Sequence, residues 1–158
     1  MLIGVLLQTG CQTPPPKEAP YQPLVARFYL ETKTGEAGVA VTLPVSGVSI
    51  MVAPKPVLVE YDIVNAELVE VELGRCLMFQ ISGPAARDLY RLSVSSVGRR
   101  LVLALNDQFV GARPIAGAMS DGIVFIFVEL DEAALPEAVE RLKSTSRDVA
   151  AAAKKARQ

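Results

Sequence analysis

The chain has 158 residues, 51% of them hydrophobic, with 16 basic and 17 acidic side chains and a formal net charge of -1 at neutral pH. That length supports one compact domain, with or without tails, large enough to bury a core. With no histidine, no tryptophan and two cysteines, the composition excludes a Ser-His-Asp triad, histidine-based zinc sites and Cys-rich metal clusters. The charge balance offers nucleic acid no basic surface. No cofactor, metal site or catalytic residue is therefore expected, and the chain is not expected to be an enzyme.

Met1 to Leu7 is a short apolar run, well below the roughly 20 residues a membrane-spanning helix needs. Gln8, Thr9, Gly10 and Cys11 follow, and residues 12–22 then turn polar and proline-rich, with Pro14, Pro15, Pro16 and Pro20. Such a stretch forms an extended linker and buries no core face. An apolar run, small residues, one cysteine and a tether together resemble the end of a bacterial lipoprotein signal peptide. The resemblance implies that residues 1–11 are a signal and that Cys11 carries the lipid. It further implies a chain anchored in a membrane of the cell envelope, facing the periplasm or the outside. Gln8 departs from that pattern, and no Lys or Arg precedes the run, which a start upstream of Met1 would explain. The alternative is a frayed terminus with a chance cysteine. Beside a lipidated Cys11, Cys76 is expected as a small buried hydrophobe in a strand; a Cys11–Cys76 disulfide is the weaker alternative.

Residues 23–74 read as β structure. Leu24 to Leu30 is rich in aliphatic and aromatic residues. Val39, Val41 and Leu43, then Val48, Ile50 and Val52, alternate with smaller or polar neighbours, the period of a half-buried strand. Pro54 and Pro56 mark a turn or an edge. Strands are expected at Val57 to Tyr61 and, with uncertain register, from Glu67 to Leu73, with a turn at Gly74 and Arg75.

Residues 75–149 read as a β-α-β-β-β-α module. Cys76 to Ile81 is a strand. Ser82 is a suitable N-cap and Pro84 suits the first turn of a helix, with Ala85, Leu89, Leu92 and Val97 as its apolar stripe and Gly98 as its stop. Leu101 to Leu105 leads through the turn pair Asn106-Asp107 to Phe109 and Val110, a hairpin. A glycine-bearing loop follows, and the apolar run Ile123 to Val128 predicts a central strand covered on both faces. A final helix starts near Leu135 and Pro136, with Leu135, Val139, Leu142 and Val149 on one face. Residues 150–158 continue as an Ala- and Lys-rich helical tail whose Lys154, Lys155 and Arg157 complement the helix dipole. A basic binding tail is the minor alternative. The expected fold class is α+β: an antiparallel sheet with two helices on one face, preceded by the β-rich region.

The strand Leu77 to Ser82, the helix ending at Gly98-Arg99-Arg100, the run Leu101 to Asp107 and the segment Phe109 to Ile115 resemble the head region of the first periplasmic domain of SecD, a protein-export membrane protein. Gly117, Gly122, Ile123 to Val128 and Pro136 to Leu142 extend the likeness, and Tyr61-Asp62-Ile63 fits it loosely. The resemblance implies a SecD-like fold and a surface for protein contacts, linked to protein export or envelope assembly. SecD has membrane helices; no apolar stretch of that length occurs in this sequence. The expectation is a module of that shape on a lipid tether, with a small-ligand-binding periplasmic module as the alternative.

Three features could carry chemistry. Ser46, Ser49 and Lys55 could form a Ser-Lys pair, but lack diagnostic spacing, and a turn serine beside a solvated lysine is the stronger reading. Asp62, Glu67, Glu70 and Glu72 could bind calcium, but without EF-hand spacing a solvated strand face is favoured. The loop from Gly111 to Gly122 could cradle phosphate, but has no Gly-Lys-Ser/Thr, so turn glycines are favoured. Arg113 within it is a candidate partner-binding cation, or the internal ion-pair partner of Asp121, the preferred role.

Overall fold

The computed structural model describes residues 20–157, which form an α+β fold of antiparallel strands and two helices. Strands β1 (Ala26–Leu30), β6 (Arg100–Leu105) and β7 (Gln108–Pro114) form one sheet in the order β1-β6-β7. Strands β2 (Val39–Thr42) and β3 (Ser49–Val52) form a hairpin. Strands β4 (Ile63–Val71), β5 (Gly74–Ile81) and β8 (Ile123–Ile126) form a third sheet in the order β4-β5-β8. The strands of the expected single sheet are thus divided between two. Ladders β1–β6 and β4–β5 both join a strand before residue 74 to one beginning at or after it.

One core joins the two larger sheets. Phe28 of β1 meets Phe79 of β5 edge to face, with ring centroids 5.2 Å apart, and both side chains are fully buried. Helix α1 (Gly83–Ser95) adds Ala85 and Leu89 to this core, and α2 (Leu135–Lys155) adds Ala138, Val139 and Leu142. A second, smaller core lies under the β2–β3 hairpin. There Val41, Leu43, Ile50 and Val52 pack on Val102, with Tyr29, Phe109 and Ala112 around them.

Consequently β6 is the strand buried on both faces: Leu101, Val102, Leu103, Ala104 and Leu105 are all buried. The run Ile123 to Val128, expected in that role, is instead an edge strand, and Phe125 and Phe127 remain 38% and 44% exposed. The hairpin covers the outer face of β6, and among the described residues β8 has no such cover.

Local signals were obeyed at most turns. Asn106 and Asp107 both take positive φ (47° and 66°), the backbone of a two-residue type I′ hairpin. Ser82 caps α1, its hydroxyl accepting from the Ala85 amide. Three expectations are corrected. The β4–β5 turn is Glu72-Leu73, with Val71 opposite Gly74. Val57 to Tyr61 is not a full strand: Leu58 bridges Phe28, and residues Glu60–Asp62 then form a 3-10 turn whose Asp62 carboxylate accepts from the Val59 amide at 2.9 Å. Val97 is 58% exposed because α1 ends at Ser95, before the helical period reaches it. Ser93 takes a buried place instead, donating to the Tyr90 carbonyl at 2.8 Å and accepting from the Met119 amide at 2.9 Å.

Helix α2 lies along β4. Its Lys143 reaches Glu67 at 3.0 Å and Glu140 at 3.4 Å. Arg141 donates to the Gln22 carbonyl at 2.8 Å. The helix continues through the alanines to Lys155, as expected of the tail.

Candidate interaction surface

Cys11, the expected lipid attachment site, lies outside the described residues. Cys76 is a buried free thiol in β5. Burial pushes its pKa up, against the opposing pull of nearby Arg113, so it stays a protonated small hydrophobe rather than a nucleophile.

Arg113 and Asp121 do not pair with each other. Each instead satisfies one backbone group on the outer edge of β8. The Gly122 carbonyl accepts from the Ile81 amide at 3.0 Å; with the β5–β8 register, this turns the polar groups of Ile123 and Phe125 away from β5. The Asp121 carboxylate accepts from the Ile123 amide at 3.1 Å, and the Arg113 guanidinium donates to the Phe125 carbonyl at 3.2 Å. Their shared task, capping an exposed edge, exists only once β8 is placed.

The other candidate groups are not brought together. The backbone amides of Val45 and Ser46 both donate to one oxygen of Glu129, at 2.7 and 2.9 Å, which ties down the tip of the β2–β3 hairpin. Hydrogen bonds from Ser46 and Val45 hold the Glu129 carboxyl below its usual range. No hydrogen bond joins Lys55 to Ser46 or Ser49. Of the acidic group, Asp62 closes the 3-10 turn and Glu67 pairs with Lys143, and no three acidic or cysteine side chains cluster among the described residues. The loop at Gly117 is tethered through Met119, which is buried and bonded to Ser93.

Sequence reasoning missed the outer face of α1. Tyr90 and Val94, four residues apart, and Val97 beyond the helix end are 46%, 54% and 58% exposed. Beside them a shallow groove of about 380 Å³ is lined by Ala86, Arg87, Tyr90, Arg91 and Ser120. The available signal was an apolar pair, Tyr90 and Val94, lying off the buried stripe. Tyr90 and Val94 on α1, Phe125 in β8 and Phe127 just after it are among the large apolar side chains left exposed on the described surface.

No family model and no curated protein matches the chain. Solved structures do. The chain is similar to SecDF in its super-membrane-facing form (19% identity, TM-score 0.59), over 76% of this chain and 18% of that one. A second structure of SecDF, described as a membrane component that enhances protein export, matches at 19% identity and TM-score 0.59, over 78% of this chain and 63% of that one. SecDF from Thermus thermophilus, described as a translocon-associated membrane protein, matches at 18% identity and TM-score 0.51, over 79% of this chain and 20% of that one. This chain therefore spans less than two thirds of each, and among its described residues no helix is long and apolar enough to cross a membrane. At this identity the likeness establishes the fold, and the fold is SecD-like.

Proposed function

We propose that the protein is a non-enzymatic contact module of the cell envelope, holding a SecD-like domain on a lipid tether at Cys11 and engaging polypeptides during export or envelope assembly. The observation that carries the reading is the fold shared with SecDF, a component described as enhancing protein export. The exposed apolar faces at Tyr90, Val94, Phe125 and Phe127 support it. Arg113 stands in this reading as a support of the contact surface, because it holds the edge of β8 beside Phe125.

Metabolic labelling with a fatty-acid probe tests the anchor. The full-length protein is expected to take up label and fractionate with membranes, and Cys11→Ser to abolish both. A soluble, unlabelled full-length protein would remove the anchor from the reading. Site-specific photocrosslinking from position 90 or 125 in living cells tests the contact role. Adducts with other polypeptides are expected, weakened by Arg113→Ala at position 125; a crosslinker that reacts only with water at both positions sinks it.

A further inference from the structure

Most strand edges among the described residues are covered or capped. Strand β4 packs against α2 and carries the charges Glu67 and Glu70, residues Val57 and Leu58 together with the end of β3 cover β1, and the Glu129 amide donates to the Val110 carbonyl of β7 at 2.6 Å. Asp121 and Arg113 cap β8. The outer edge of β2 has no such device. The register with β3, together with the Leu43 amide donating to the Val48 carbonyl at 2.9 Å, assigns Val39, Val41 and Leu43 to the bonded pairs. The N–H and C=O of Ala40 and Thr42 then point away from β3. Val39, Ala40 and Thr42 are exposed, and no described residue bonds to that edge. Its sequence, Val-Ala-Val-Thr, holds no charge and no proline, the usual means by which an edge resists pairing.

The edge is also held in shape before anything binds. Val41, Leu43, Ile50 and Val52 are anchored in the second core, and Glu129 ties down the tip. From these observations we infer that the outer edge of β2 accepts an extended, uncharged aliphatic segment of a partner polypeptide as an added strand. The proposal deepens the contact-module reading and rests on it. Charge selects the chemistry: β2 offers no counter-ion, so an ionised side chain beside half-exposed Val39 and buried Val41 would lose hydration without compensation. Size selects a transient partner over a second copy of this chain. Four residues span about 13 Å, too short to supply the roughly 800 Å² per partner of a stable dimer. Main-chain bonds supply the contact, so it tolerates varied sequence.

The test is an NMR titration of the full-length chain, labelled with 15N, with an end-blocked peptide of alternating threonine and valine. The expected result is shifts centred on the Ala40 and Thr42 amides and weaker binding when two threonines of the peptide are replaced by aspartate. Ala40→Pro should weaken binding about five- to tenfold, the worth of one hydrogen bond. It should leave the thermal midpoint nearly unchanged, since the Ala40 amide bonds nothing within the fold. Should the proline variant fail to fold, Thr42→Lys serves the same comparison. Undiminished binding in the folded variants, shifts confined to Tyr90 and Val94, or absence of any shift would overturn the edge site. Concentration-dependent shifts at Ala40 without peptide would overturn the occupant, in favour of a second copy. If the titration overturns the edge site, photocrosslinks from position 90 would still leave the contact module standing.

Discussion

At the scale of single residues, the segment after β8 approaches β7 closely because one position lacks a side chain. A Cβ added at Gly111 would clash with the carbonyl oxygen of Phe127 and lie 3.3 Å from the Val128 Cα, so only glycine lets the chain after β8 close on β7. The opposing atoms are backbone and cannot swing aside as a side-chain tip would. Gly111→Ala is therefore expected to destabilise the fold by about 1–3 kcal/mol, measured by urea denaturation. Arg113 and Asp121 show the complementary case. Their types and positions are plain in the sequence, but which groups they serve follows from the register of β8 against β5.

At the scale of elements, α1 combines a legible part with a hidden one. Ser82 and Pro84 mark its start through chemistry confined to a few neighbouring residues, whereas its end falls at Ser95 with Ser96 as the C-cap; Gly98 lies beyond it in the left-handed conformation (φ 87°) that favours glycine, its amide donating to the Ile115 carbonyl at 2.9 Å. Ser93 is hidden, because a serine inside a helix ordinarily faces water. Here it is fully buried and is the acceptor for the Met119 amide, which pins the loop carrying Gly117 to the helix. Ser93→Ala leaves that buried amide without a partner. A loss of about 1–3 kcal/mol is expected, with amide hydrogen exchange at Met119 rising more than exchange in β6.

At the scale of the whole molecule, two of the ion pairs that join distant parts of the chain are two-point arginine–glutamate pairs. Arg27 of β1 forms a two-point pair with Glu60 at 3.0 Å on each arm, and Arg100 of β6 holds Glu31 with contacts of 2.6 and 2.9 Å. The Arg27 guanidinium holds the Glu60 carboxyl below its ordinary value, and the Arg100 guanidinium does the same to Glu31, in each case chiefly by hydrogen bonding. A carboxyl whose pKa is lower in the folded than in the unfolded chain contributes stability that is complete above the unfolded value, about 4.3 for glutamate. That stability is lost as pH falls through the folded value. Thermal midpoints are thus expected to stay level from pH 7 to about 5 and to drop below about 4.3. The drop should be shallower in Glu60→Gln and Glu31→Gln, and an equally steep fall in both variants would assign the acid sensitivity to other groups.

The sequence by itself determined what depends on neighbours along the chain: the α+β class, the period-two strands β2 and β3, the Asn106-Asp107 turn, both helices and the capping serine. Its glycines and apolar strands also carried the likeness to SecD. Only the tertiary structure decided which apolar run is central. Leu101 to Leu105 and Ile123 to Val128 look alike as strings of aliphatic and aromatic residues, yet the first is sealed by a hairpin from far earlier in the chain while the second leaves Phe125 in solvent. Local periodicity records which side of a strand is greasy. It holds no information about whether another element arrives to cover that side, because such cover depends on contacts between residues remote in sequence. For the same reason the open edge of β2 and the capped edge of β8 became visible only in three dimensions.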